Sequence, residues 1–132
     1  MRFMLMMSTP RDGYDEFMRW PKDVLQANIA FMVEFSRRLR ASGELVLTEG
    51  LASPAQAKLV RAGKDGRPIT DGVFPEMKEF LAGYWIVDVE SAARAYEIAA
   101  EASTAPGVPT VGRPHLEIEV REVMSGQPRE LA

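Results

Sequence analysis

The chain contains no cysteine. Disulfides, thiol nucleophiles and cysteine-based zinc sites are therefore excluded. It has a single histidine, which also excludes a multi-histidine metal site within one chain. Positive charge is not in excess: 16 Lys and Arg stand against 19 Asp and Glu, for a net charge of -3. Nucleic-acid binding requires a basic face, and none is expected here. No apolar run reaches the ~18 residues that a membrane span needs. The apolar start Met1-Arg2-Phe3-Met4-Leu5-Met6-Met7 is too short for a signal-peptide core and lacks a small-residue cleavage site. It reads as the first strand of a cytoplasmic protein. There is no glycine-rich loop ending in Lys-Ser/Thr and no Gly-x-Ser-x-Gly elbow. No cofactor and no metal are expected.

What is present is ordinary globular material. The 132 residues suit one domain, with 46% hydrophobic and 27% charged positions. A chain of this size buries about two-thirds of its unfolded surface and can fold without a staple. The domain is expected over residues 1–124, with a polar tail at 125–132.

Periodicity lays out the elements in turn. Residues 2–7 are apolar almost throughout, which suits a strand buried on both faces. Residues 8–20 read as a loop with room for one helical turn. Pro21 suits the first position of a helix. Val24, Asn28, Phe31, Met32, Phe35 and Leu39 then recur at three- and four-residue steps as one stripe. Arg37, Arg38 and Arg40 favour the helix end, and Gly43 stops it. Glu44 to Leu51 reads as a strand with Leu45, Leu47 and Glu49 on one face and Val46 and Thr48 on the other. Ala57 to Thr70 reads as a hairpin around Asp65-Gly66. A polar stretch, Thr70 to Glu79, leads into a strand from Phe80 to Val89, with Tyr84 and Ile86 opposite Trp85, Val87 and Val89. Ser91 is a good N-cap for a second helix, although Arg94 rather than Glu occupies the capping-box position. Ala95, Ile98, Ala99 and Ala102 form its buried side. A loop rich in Pro and Gly follows, and a last strand spans His115 to Val123.

This β-α-β-hairpin-β-α-β order is the α+β, ferredoxin-like plan with an inserted β-hairpin. Two helices cover only one face of such a sheet. The first strand and the Phe80–Val89 strand are nonetheless apolar on both faces. Uncovered apolar sheet marks an interface, so a homodimer packing sheet against sheet is expected.

Thr70-Asp71-Gly72-Val73-Phe74-Pro75-Glu76-Met77-Lys78-Glu79 resembles the Asp-Gly-Pro-Phe-Ala-Glu-Thr-Lys-Glu signature of the YCII-related (DGPF-domain) proteins. Asp71, Gly72, Phe74, Glu76, Lys78 and Glu79 match; Val73, Pro75 and Met77 depart. Ala82 to Val89, Leu39 to Leu45, Glu49 to Leu51 and Glu117 to Arg121 are similar to neighbouring family segments. The resemblance covers roughly residues 1–124. It implies a ferredoxin-like fold related to the dimeric α/β barrels, usually as a homodimer. For activity it implies little: many members look like accessory domains, and some relatives act as lyases or isomerases through a His-Asp pair. Family helices often carry a histidine where this chain has Asn28, within Ala27-Asn28-Ile29-Ala30-Phe31.

Several residues are candidates for a site, each beside a plainer role. Asp71 could be a general base if burial raised its pKa; before Gly72 it could equally bond to backbone in a turn. His115 could act as acid or base near neutrality, or sit half exposed at a strand start. Glu76 and Lys78 could hold a ligand or form an exposed ion pair. Asn28, within an apolar stripe, needs a hydrogen-bond partner and could find it in a ligand or in nearby backbone. Trp85 could line an apolar ligand pocket or fill the core. Topology gathers Ser8, Thr9, Glu49, the Asp71–Lys78 stretch, His115 and the start of the first helix at one sheet edge. Two functions follow: a dimeric small-ligand-binding or accessory domain, or a cofactor-free lyase or isomerase moving protons on a small polar or aromatic acid with Asp71 and His115.

Overall fold

The apolar run after Met1 forms strand β1, Arg2–Thr9. A short helix α1, Gly13–Met18, occupies most of what the sequence reads as loop. The long helix α2 spans Lys22–Ala41. Pro21 stands one position before it, and its carbonyl accepts the Leu25 N–H at 2.9 Å. Strand β2, Leu45–Gly50, is followed by a 3-10 turn at Pro54–Gln56. Strands β3, Lys58–Ala62, and β4, Pro68–Gly72, form the hairpin. Strand β5, Phe80–Asp88, helix α3, Ala92–Ala102, and strand β6, Ile118–Glu122, complete the chain. These elements come from a computed structural model that describes residues 1–72, 78–107 and 116–124.

The strands build a four-stranded sheet in the order β2-β5-β1-β6, with every neighbouring pair antiparallel. The hairpin forms a separate two-stranded sheet. This α+β arrangement is compatible with a ferredoxin-like fold. No helix among the described residues is long and apolar enough to cross a membrane.

The central strands carry the core. Phe3 and Leu5 of β1 and Trp85 and Val87 of β5 point towards Phe35 and Leu39 of α2 and Ala95, Ile98 and Ala102 of α3. Leu5, Val87, Ala95 and Ile98 are wholly excluded from solvent. The alanines on α3 let that helix lie close to the sheet, as its small-residue face implies. Trp85 meets Phe35 edge-on, with ring centroids 5.6 Å apart and planes at 87°. Edge-to-face geometry places the positive ring edge on the negative face of its partner.

The alternation along β5 follows the sequence reading, but β2 departs from it. A bulge between Leu45 and Leu47 leaves Val46 without a pairing partner. Leu45 therefore packs on the core opposite Val87, while Leu47 pairs with Ile86 on the other face and is 43% exposed. An extra residue in one strand reverses the faces of everything beyond it, so Leu45 and Leu47 do not share a face as expected. The polar stretch is also shorter than its composition suggests, because Asp71 and Gly72 are the last two residues of β4. The final strand begins at Ile118; His115, its expected first residue, lies outside the described residues.

The turn from α2 to β2 is closed by local chemistry. Gly43 adopts φ +79°, its N–H bonds to the Arg40 carbonyl at 3.1 Å, and the Glu44 N–H bonds to the Leu39 carbonyl at 3.1 Å. This pair of bonds is a Schellman motif, and its left-handed residue favours glycine. Arg94 then ties the turn to α3. Its guanidinium donates to both Glu44 carboxylate oxygens at 2.8 and 2.9 Å and to Glu97 at 3.0 Å. The Ser91 hydroxyl caps α3 by accepting the Arg94 N–H at 3.2 Å. Arginine at the capping-box position thus reaches outward to the Glu44 turn instead of back to the cap. The Arg94 hydrogen bonds, with a further one from Ser42, hold the Glu44 carboxyl below the usual glutamate range despite its partial burial.

Two outcomes follow. Ile98→Ala should cost about 2–5 kcal/mol, whereas Val33→Ala on the solvent face of α2 should stay within about 0.5 kcal/mol; urea unfolding at neutral pH measures both. The Glu44 contribution has the sign of a depressed carboxylate. It is present above the unfolded-state value of about 4.3 and is lost as pH falls through the lower folded value. Arg94→Ala should therefore lower stability at neutral pH and flatten its loss on acidification. Parallel pH–stability curves for the two proteins would refute this.

Candidate functional site

One end of the four-stranded sheet collects segments far apart in the chain. At this end Thr9 closes β1 against Phe80, which opens β5. Gly50 closes β2 against Gly83, and the Leu51 N–H bonds to the Ala82 carbonyl at 2.8 Å. Met7 pairs with Ile118 at the start of β6. A Cβ on Gly83 would lie 3.1 Å from the Glu49 carbonyl oxygen, so glycine permits the close approach of β2 here. Ser8, Thr9, Glu49 and the start of β5 therefore meet at one end, as antiparallel topology requires.

Beside this end lies an open, largely apolar depression of about 420 Å³. Leu51, Pro54, Ala57, Phe80 and Leu81 line it, with Gln56 and Ser53 as polar groups. The Ser53 hydroxyl accepts the Ala55 N–H at 3.3 Å and so opens the 3-10 turn that forms one wall. A second bulge shapes the other wall. The β1–β5 register shifts between Met7 and Ser8, leaving Ala82 unpaired, so that Phe80 is buried and Leu81 exposed. Sequence reasoning passes over this wall segment. Its only signal is Leu51 standing beside Ser53-Pro54, an apolar residue next to a helix-start pair.

The candidate residues occupy different parts of the fold. Asp71 lies on β4 opposite Leu59, with its carboxylate 4.0 Å from the Arg61 guanidinium and about half exposed. A diagonal ion pair across the hairpin is what such a position allows. Lys78 is exposed, just ahead of β5. Asn28 stands in the helix layer, where its Nδ2 donates to the Pro106 carbonyl at 2.8 Å. That bond meets the need of a polar amide in an apolar stripe and ties α2 to the segment after α3. Nearby, Gly107 lies close to Trp20, whose ring a Cβ would meet at 2.7 Å. Trp85 is only 5% exposed, packed between the sheet and Phe35. Glu76 and His115 lie outside the described residues. Among the described residues no group of His, Asp and Glu is arranged to hold a metal ion.

Chemically, the sheet end offers an apolar hollow with one amide and one hydroxyl. The Asp71 carboxylate belongs to a solvated ribbon with a cationic neighbour. Burial of the kind that makes a carboxylate a good base at neutral pH is absent at Asp71.

Asn28→Ala should cost about 1 kcal/mol through loss of the Pro106 bond. Asp71→Asn should shift stability by no more than about 0.5 kcal/mol, because exposed ion pairs contribute little. Urea midpoints of the two variants distinguish the part-buried bond from the exposed pair.

Comparison with known families bears on most of the chain. The YCII-related domain model matches residues 1–110. Among curated proteins no match is found.

Proposed function

The chain belongs to the YCII-related family, and from that premise we propose that it works as a homodimeric accessory or small-ligand-binding domain. Its plan is ferredoxin-like and related to the dimeric α/β barrels. The observation that carries this reading is the one-sided cover of the sheet. Helices α2 and α3 occupy one face. The other presents Met4 and Met6 beside Ile86 and Tyr84, with Leu47 next to Ile86. Contiguous apolar surface of this kind is costly to leave in water and suits a self-complementary two-fold contact. Methionines add adaptable packing. The apolar depression at the sheet end is the place for a small ligand.

Accessory binding has more support than catalysis. A lyase or isomerase would need Asp71 as base, and that carboxylate stands about half exposed on the β3–β4 ribbon, 4.0 Å from the Arg61 guanidinium.

Sedimentation equilibrium at micromolar concentration should give twice the chain mass of 14.7 kDa. Ile86→Lys, which puts a charge in the middle of the open face, should give the monomer mass with an unchanged far-UV spectrum. A wild-type monomer at these concentrations would overturn the reading.

A further inference from the structure

The β3–β4 ribbon has no layer of its own to rest on. Every residue of both strands is exposed, including Leu59 at 40%, Val60 at 62% and Ile69 at 37%. A lone two-stranded hairpin is marginally stable in water. This ribbon nevertheless has well-specified local chemistry. Lys58 to Ala62 pair residue for residue with Gly72 to Pro68. At the tip Gly66 takes φ +82°, the Gly63 N–H bonds to the Arg67 carbonyl at 2.8 Å, and the Asp65 carboxylate accepts the Arg67 N–H at 3.0 Å. A shaped ribbon with exposed apolar residues on both faces needs something to cover it.

Charge and position point to what that is. Lys58, Arg61, Lys64 and Arg67 stand against Asp65 and Asp71, so the ribbon is net positive in a chain whose net charge is -3. The rest of the chain is correspondingly acidic. Two ribbons repel each other, while a ribbon and the body of another copy attract. The ribbon also leaves the chain between β2 and β5, and β2 is an edge strand of the sheet whose open face carries the apolar patch. An arm that joins the chain next to an edge strand suits a contact with a second copy.

We propose that the β3–β4 hairpin is a dimerisation arm that lies on the second copy of this chain. Its apolar side chains are covered there, and its basic groups face the acidic body of that copy. Two-fold symmetry supplies the contact twice, once from each arm. The arm rests on the homodimer reading and adds to it the element that embraces the other subunit. A net-positive ribbon on a net-negative chain is a weak footprint for nucleic acid, which leaves the second copy as the fitting partner.

The full chain tests this in two measurements. Sedimentation velocity over a dilution series gives the dimer dissociation constant for the wild type, for Val60→Ser/Ile69→Ser and for Arg61→Glu. Hydrogen exchange reports amide protection across residues 58–72 at concentrations above and below that constant. The expected result is a rise of about tenfold or more in the dissociation constant for both arm variants, with an unchanged monomer spectrum. Wild-type protection of the arm amides should rise with dimer population and should be lost in Ile86→Lys. If the dimer forms, the arm variants leave its dissociation constant within about twofold and arm exchange ignores concentration, the arm is overturned while the sheet dimer stands. A wild-type chain that stays monomeric throughout overturns the homodimer, and the arm with it.

Discussion

Leu5 and Val87, on neighbouring central strands, press against Phe35 of α2 and Ile98 of α3, and all four are almost wholly removed from water. The remainder of the structure depends on this contact. It sets which face of the sheet is covered and therefore which face is left open. It holds Trp85 edge-on to Phe35, which places an indole in the interior and not in a ligand site. It also sets how close α3 lies to the sheet, because the alanine face of that helix admits an approach that larger side chains would prevent. Burial on this scale is the main favourable contribution to folding, and the polar features of the chain are arranged around it.

Around that core, charged groups act as clips between elements. Arg94 joins the start of α3 to the turn between α2 and β2 through Glu44. Arg38 of α2 pairs with Glu101 of α3. The N-terminal ammonium reaches Asp88 and the Val89 carbonyl, fastening β1 to the end of β5. Such pairs contribute modestly when exposed. Glu44 is the most sheltered of these carboxylates and accepts several hydrogen bonds, so the Glu44–Arg94 clip specifies geometry most strongly. The hairpin lies outside both systems. Its residues lie outside the buried core cluster, and among the described residues its ion pairs, from Arg61 to Asp71 and from Arg67 to Asp65, lie within itself.

Much of the fold was legible in the residues. The stripe from Val24 to Leu39, the alanines of α3, the Ser91 cap, the Gly43 stop and the alternation of Tyr84 to Val87 each report a local preference. Local preferences appear in sequence because period and cap depend on neighbours within a turn or two. The bulges were not legible. Val46 and Ala82 carry no residue signal for being unpaired, since a bulge is decided by register against another strand. The candidate site was less legible still. Asp71, Asn28 and Trp85 are chemically capable residues, but their surroundings come from segments distant in the chain: Arg61 across the hairpin, Pro106 beyond α3, and Phe35 from α2.

The sequence by itself determined the family, the α+β class and the absence of thiol chemistry. Each is a matter of composition, periodicity or motif, and each can be read one segment at a time. Only the tertiary structure decided that Asn28 is satisfied by the Pro106 carbonyl, that Trp85 is interior and that Asp71 belongs to a solvated ribbon. Only it decided that a hollow forms between the Leu51–Ala57 segment and the start of β5. These are statements about which long-range neighbour removes water from which group, and exposure is a property of the folded surface that no single segment contains.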